Sequence, residues 1–398
     1  MKLGWQIKKL GEVYDVRDGT HDSPKYVSNG YALITSKNLK NDILNYDKIK
    51  YIAEQDYINI NKRSKVDVGD VLFAMIGTIG NPIVIKDEPD FAIKNVALFK
   101  VPENQSSCFL KYYLDSRIVI NKMSKEAKGA TQKFVGLGYL RNFKIPVPPL
   151  PEQKRIVAIL DKAFAAIAKA KANAEQNLKN AKELFESYLQ GVFENKGEDW
   201  EEKYLENLVD EKCTLSYGIV QPGKEYSDGL PIIRPTDLTS RFISLNGLKR
   251  IDPKLADGYK RTKLMGNELL LCVRGSTGVV SIALKELEGA NVTRGIVPIR
   301  FNSKIINQEY GYYLLISNYI QKQIKSKTYG AALMQINIRD LRKIQTLYPQ
   351  LKTQQLIVQK LDALNAETKK LEAIYQQKID DLEELKKSVL QKAFNGEL

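Results

Sequence analysis

The chain is written twice. Segment 129–197 aligns on segment 330–398 at a constant offset of 201 residues, without a gap. Matched pairs include Leu140/Leu341, Pro148/Pro349, Gln153/Gln354, Leu160/Leu361, Asp161/Asp362 and Phe193/Phe394. Upstream the echo persists with small slips. Gly69-Asp70-Val71-Leu72 returns as Gly266-Asn267-Glu268-Leu269, and Gly77-x2-Gly80 as Gly275-x2-Gly278. Two copies are too few for a solenoid, which stacks three or more short units. They make a pseudo-dimer inside one chain, suited to a target that is itself split in two.

Each copy divides again. A mixed portion with short β-branched runs (70–75, 82–85 and 92–101; then 268–273, 279–284 and 295–301) is punctuated by Gly, Pro and Asn, the spacing of strands and tight turns. A Tyr-rich amphipathic stretch follows in each, Phe109–Lys122 and Tyr310–Lys325, and predicts one helix packed on the sheet. Then comes Pro146-Val147-Pro148-Pro149-Leu150-Pro151, after which residues 152–193 hold no proline and no glycine before Gly191. Val157, Leu160, Phe164, Ile167, Lys171, Ala174, Leu178, Ala181, Phe185, Tyr188 and Val192 alternate spacings of three and four, an a/d seam. Leu361, Leu364, Leu371, Tyr375, Leu382, Leu385 and Val389 repeat it. A helix of about 42 residues spans roughly 60 Å and cannot bury such a stripe alone. The simplest partner is its own repeat, paired antiparallel with one globular unit at each end; the alternative is two separate helices that each bind other subunits. Lys171 and Glu372, at equivalent mid-helix positions, are expected to lie near the pseudo-two-fold axis, no more than two turns apart.

The expected fold class is therefore α+β: two pseudo-symmetric mixed α/β domains separated by two long helices forming an antiparallel coiled coil. The expected boundaries are 1–150, 151–197, 198–351 and 352–398.

Charge narrows the function. The net charge is +14, yet by count the two helical segments together hold only +2, leaving +7 on 1–150 and +5 on 198–351. A basic excess on two globular units points to a polyanion, nucleic acid before membrane surface. No apolar run reaches the ~18 residues of a membrane span, and Met1–Trp5 opens no signal-peptide core. Cys108, Cys213 and Cys272 are scattered without a C-x-x-C, as expected of a reduced, cytoplasmic protein.

Pro-Pro-Leu-Pro-Glu-Gln followed by Ile-Val, Leu-Asp and a long helix, all repeated, resembles the specificity subunit of type I restriction-modification systems. Asp18-Gly19-Thr20-His21-Asp22-Ser23-Pro24-Lys25-Tyr26 looks like a common opening of that family's target recognition domain. Tyr217-Gly218-Ile219-Val220-Gln221-Pro222-Gly223 with Ile232-Ile233-Arg234-Pro235-Thr236-Asp237-Leu238 is similar to another. The second linker departs from the pattern: Tyr348-Pro349-Gln350-Leu351 keeps one proline, which suggests a looser turn into the last helix. The resemblance implies a non-catalytic chain whose two domains each read one half of a bipartite double-stranded DNA site. The helices would set the gap and dock two methyltransferase subunits, which bind S-adenosylmethionine and methylate adenine N6. With restriction subunits added, the complex would cut unmodified DNA with ATP. The competing reading is a DNA-binding scaffold of another methyltransferase or defence complex.

Catalytic constellations are weak. Phe134-Val135-Gly136-Leu137-Gly138 matches a methyltransferase cofactor loop, but it runs into the proline linker and its counterpart 335–339 has no glycine. We expect the chain to bind no cofactor and no metal of its own. Candidate DNA contacts are polar loop residues, because bases are read by Arg or Lys at guanine and Asn or Gln at adenine. They recur at equivalent places: Lys37 and Asn38 beside Thr236 and Asp237, Thr78 beside Ser276, and Lys94 and Asn95 beside Thr293 and Arg294. Thr20, His21 and Tyr217 join them from the two domain openings, and Gln221, Arg234 and Arg274 from the second unit alone. His21 either approaches DNA or satisfies a turn, and the Gly-x2-Gly turns are equally explicable as sheet geometry.

Overall fold

The computed structural model describes residues 4–40, 42–129, 133–330 and 333–398. The first residues of the repeat alignment, 130–132 and 331–332, lie outside the described residues. The chain divides into two units: Met1–Glu175 with Gln376–Leu398, and Gln176–Tyr375. Each unit thus takes one mixed domain and a portion of both long helices.

In the first unit an antiparallel sheet runs Asp15–Asp18, Val96–Lys100, Val71–Ala74, Gly80–Val84. A second sheet runs Phe91–Lys94, Tyr31–Thr35, Lys50–Ile52, Tyr26–Val27, its first pair parallel. The central strand Val71–Ala74 is buried on both faces, and alternation sends its side chains to different cores. Val71 and Phe73 enter the core shared with the helices, while Leu72 and Ala74 enter the core under the second sheet. Leu269–Cys272 in the second unit splits the same way, Leu269 and Leu271 to one core and Leu270 and Cys272 to the other. A two-stranded ribbon ties each domain's first strand to the strand before its linker: Gln6–Lys9 with Lys144–Val147, and Glu201–Tyr204 with Gln345–Tyr348.

The Gly-Asp-Val-Leu motif and its echo start these central strands with a carboxylate cap. Asp70 accepts the Asp67 N–H at 2.7 Å, and Glu268 accepts that of Met265, also at 2.7 Å. Each acid then meets a cation at the end of the neighbouring strand, Lys100 at 2.6 Å for Asp70 and, one residue past Ile296–Ile299, Arg300 for Glu268. Burial still pushes the Asp70 carboxyl above the usual carboxylate range, against the pull of Lys100.

The Tyr-rich stretch is two helices, not one. Ser107–Asp115 stops at Ser116 before Arg117–Glu126, and Gln308–Ile316 stops at Ser317 before Asn318–Lys327. Both serines are fully buried, and their hydroxyls donate to the Tyr113 and Leu314 carbonyls at 2.6 Å. Extended backbone at the serine breaks the helix while the apolar rhythm carries on through it.

The long helices are Leu150–Glu194 and Leu351–Asn395. Within each unit they pair antiparallel. In the first, Lys171 meets Glu383 at 2.7 Å and Phe394 packs on Phe109 and Tyr113. In the second, Leu189, Phe193 and Leu361 share a core. Glu372 instead pairs with Lys369 one turn earlier on its own helix. Lys171 finds its partner eleven residues beyond Glu372, about three turns, so the expected placing of Lys171 within two turns of Glu372 is wrong. The seam also departs from strict heptads, in mid-helix as well as at the ends. Tyr188, Leu371 and Leu385 are exposed, whereas Thr368, Ile379, Leu189 and Phe193 are buried. A straight helix drifts ~20° per heptad from a 3.5-residue repeat, and the domain cores recruit the terminal turns.

The second linker is not looser. Gln153 and Gln354 are both fully buried. Gln153 donates to the Pro148 carbonyl at 2.8 Å and accepts Ser106 N–H at 2.9 Å. Gln354 donates to Pro349 and Ile305 carbonyls at 2.8 Å and accepts Asn307 N–H at 2.7 Å. The glutamine, rather than the prolines, aims the helix.

Candidate nucleic-acid interface

The two domain openings fold alike. Gly19 and Gly218 pass so close to a neighbouring strand end that a Cβ would sit 2.2 Å from the Ile93 carbonyl oxygen and 2.0 Å from that of Val292. Only glycine fits. The next residues, Thr20 and Ile219, bridge in parallel to Lys94 and Thr293. Asn95 N–H then donates to the Thr20 carbonyl at 3.1 Å, and Arg294 N–H to the Ile219 carbonyl at 2.9 Å. Asn95 and Arg294 thereby hold equivalent hydrogen-bonded positions, although only Asn95 turns to positive φ. The Gly-x2-Gly turns match too: Gly77 N–H donates to the Lys133 carbonyl at 2.9 Å and Gly275 N–H to the Met334 carbonyl at 2.8 Å. All four turn glycines have positive φ, so sheet geometry demands them, and the same geometry leaves Thr78 and Ser276 exposed.

In the first unit the loops frame a basic cleft of about 680 Å³, lined by Lys37, Lys40, Lys48, Lys50 and Lys94 with Asp47 the one carboxylate. Lys94 donates to Ser23 at 2.6 Å, and Lys50 lies 4.1 Å from the centre of the Tyr26 ring. Asn95, on the same wall, has φ 53°. His21 is strapped between two oxygens, Nε2 2.9 Å from Asp18 Oδ2 and Nδ1 2.7 Å from Asn95 Oδ1. Asp18 is buried and also accepts Arg63 at 3.0 Å. The histidine thus satisfies the turn while its side chain stays 59% exposed at the surface.

Several candidates are spent on the fold. Asn38 is buried; its Oδ1 accepts the Thr35 N–H at 2.9 Å and its Nδ2 donates to the Asn45 carbonyl at 2.9 Å. Asp237 caps the equivalent turn by accepting the Arg234 N–H at 2.8 Å, and holds the Arg234 guanidinium at 2.8 Å. Tyr217 braces a loop, donating to Ile336 and accepting from Ile338, both at 3.2 Å. Lys37, Thr236, Gln221 and Arg294 remain exposed. Arg274 is half-buried with its Nε buried and unpaired. Ser276 lies in a second cleft of about 500 Å³ with Gln321, Lys322 and Lys325. Lys40, Lys48 and Lys50 do not show in the repeat pattern, having no lysine echo except at Lys249. The signal was the run of lysines from 37 to 50, which pairing of Lys50–Ile52 with Tyr31–Thr35 folds onto the wall carrying Lys94.

Both domains are tied to the helices by a repeated bond. Tyr112 donates to Asp161 at 2.5 Å, and Tyr313 donates to Asp362. The second unit adds Arg241, paired with Glu309 and, at 2.8 Å, with Asp362, and lying 4.8 Å from the centre of the Tyr312 ring. Phe134-Val135-Gly136 forms isolated bridges to Ile76 and Lys128 and leads into a six-residue helix, Leu137–Asn142. Among the described residues no helix is long and apolar enough to cross a membrane.

A family model described as the type I restriction modification DNA specificity domain matches residues 2–179 and again 197–381. The EcoBI type I restriction enzyme specificity subunit of Escherichia coli is 26% identical over 95% of this chain and 85% of its own length. The putative MjaX specificity subunit of Methanocaldococcus jannaschii is 23% identical over 99% of this chain and 93% of its own. The fold is shared with a chain from a study of assembly and conformational transition of the type I R-M system, TM-score 0.74 and 20% identity over 100% of this chain and 99% of that one. It is shared also with the HsdS subunit from Thermoanaerobacter tengcongensis, TM-score 0.62 and 19% identity over 100% of this chain and 98% of that one. With two matches that together span most of its length, the chain belongs to the type I restriction modification DNA specificity domain family.

Proposed function

We propose that this chain is the sequence-reading subunit of a type I restriction-modification complex, each mixed domain reading one half of a bipartite DNA site. The observation that carries the proposal is the duplicated loop set: Gly19 and Gly218 seat matched opening loops, and Thr78/Ser276 and Asn95/Arg294 take equivalent places on them and differ in side chain. Equivalent positions with unequal chemistry are what two half-sites of different sequence require. Phosphate contacts position a protein and base contacts specify the site. Lysines 37, 40 and 48 suit the first task; Asn95, Thr78, Ser276, Arg274 and Arg294 suit the second.

The chain supplies address rather than chemistry. Methyltransferase subunits carry S-adenosylmethionine and methylate adenine N6, restriction subunits cut, and the long helices set the gap and dock the partners. It works in the cytoplasm, where its DNA target lies. The test is a binding selection: the full chain with its methyltransferase subunit is offered randomised duplex DNA. Enrichment of two short fixed blocks around an unspecified gap supports the reading. A single contiguous block, or none from an assembled complex, refutes it and favours a scaffold role.

A further inference from the structure

Arginine accounts for the sharpest difference between the two reading surfaces. In the second unit Arg234, Arg241 and Arg300 spend their guanidinium groups on carboxylates, and Arg250 and Arg342 on backbone carbonyls. Arg261, Arg274, Arg294 and Arg339 do neither, and of these Arg274 and Arg294 stand at positions matched in the first domain, by Ile76 and Asn95. Among the described residues no hydrogen bond or ion pair engages either guanidinium, and the Arg274 Nε is buried without a partner. Their backbones run side by side. Val273 N–H donates to the Gly295 carbonyl at 2.8 Å, and a Cβ on Gly295 would lie 3.7 Å from the Arg274 carbonyl oxygen. A guanidinium nitrogen buried without a partner is costly until it meets an acceptor.

That acceptor must be met on a rigid mount. Arg294 N–H is fixed to Ile219, and Ile296 N–H closes the turn onto the Thr293 carbonyl at 2.9 Å. Pro235 fills the space beside Gly295, where a Cβ would lie 2.5 Å from the proline ring. A fork on a fixed turn suits the paired O6 and N7 acceptors of guanine, whose geometry leaves no room for adjustment. Flexible lysines, as in the first unit's cleft, suit phosphates. The first unit has Ile76 where the second has Arg274: both bridge the returning strand, at Phe134 and at Gln335. It has Asn95, with Oδ1 already engaged by His21, where the second has Arg294.

Resting on the proposed function, we infer that Arg294, supported by Arg274, reads guanine in the half-site of the second unit, and that the first unit reads no guanine at that register. The test is selection from randomised duplex DNA by the full chain with its methyltransferase subunit, for wild type, Arg294→Ala, Arg294→Lys and Arg274→Ala. In wild type one half-site should fix a guanine. Arg294→Ala should lower preference for it about 5- to 150-fold, the range of one bidentate pair, leaving the other half unchanged. Arg294→Lys should keep affinity and only part of that preference, because a flexible ammonium can reach O6 and N7 but lacks the guanidinium's rigid planar fork. Uniform weakening on all sequences with a shallower salt dependence would make both arginines phosphate contacts and overturn the inference, while leaving the bipartite reading intact. A wild-type selection without two blocks would remove the proposed function itself.

Discussion

Replacing Gly218 with alanine tests the loop architecture at one atom. The new Cβ would lie 2.0 Å from the Val292 carbonyl oxygen and 2.5 Å from its carbon, against backbone with no rotamer to yield. Ordinary contact needs roughly 1.2 Å more, so the opening loop must lift off the strand end. Lifting breaks the Ile219 N–H bond to Val292 at 2.8 Å and the Arg294 N–H bond to Ile219 at 2.9 Å. Two such bonds contribute about 1 kcal/mol each, and overpacking adds about 1–3 kcal/mol. The sum, about 3–5 kcal/mol, lowers Tm by roughly 6–20 °C if a domain of this size melts alone. Differential scanning calorimetry reads that shift, and selection on randomised DNA reads the consequence: the second half-site degenerates and the first stays fixed. Gly19→Ala should do the reverse. A Tm within about 2 °C of wild type, or loss of both half-sites together from a folded protein, would refute the reasoning.

Gly138→Ala is the contrast. Nothing lies within 4 Å of its Cβ position and it sits in the helix Leu137–Asn142, so alanine should raise stability by about 0.4–1 kcal/mol and leave methylation by the complex unchanged; a loss of activity would revive a cofactor loop. Lys40→Ala and Lys48→Ala should each weaken binding on all sequences alike and reduce the slope of log K against log salt by about 0.9; a changed consensus would move those lysines to base contact. Hydrogen bonding to Lys171 holds the Glu383 carboxyl below the usual carboxylate range. Its contribution to stability is therefore present above about pH 4.5 and lost as pH falls through the depressed value; wild type and Glu383→Gln should differ in Tm at neutral pH and converge in acid. Deleting four residues, about 6 Å of helix, from one long helix should change the gap or abolish assembly while the half-site sequences survive; an altered half-site with an intact gap would contradict the ruler.

The duplication carried most of the fold into view, because an offset of 201 residues over an ungapped stretch can only be two copies of one helix on two copies of one domain. The breaks at Ser116 and Ser317 were illegible, since the apolar period continues across them and only a buried hydroxyl turned on Tyr113 or Leu314 marks the stop. Pairing of Lys171 with Glu383 rather than a place near Glu372 was equally hidden: helix register depends on how the domains seat the ends, as Phe394 does on Phe109. At the reading surface, equivalent loop positions could be found by alignment, but alignment could not separate polar residues spent on capping from those left over. Asn38 and Asp237 read as base contacts and turn out to hold their turns. Lys40 and Lys48 escaped because only sheet pairing brings them to Lys94.

The central claim is that one chain writes two addresses. It is tested most directly by expressing the chain with its methyltransferase subunit in a methylation-free host and sequencing the genome for N6-methyladenine. The account predicts a motif of two fixed blocks around an unspecified gap, absent without this chain, in which Arg294→Ala relaxes one block alone. A contiguous motif, or no methylation from a complex shown to assemble, would contradict it.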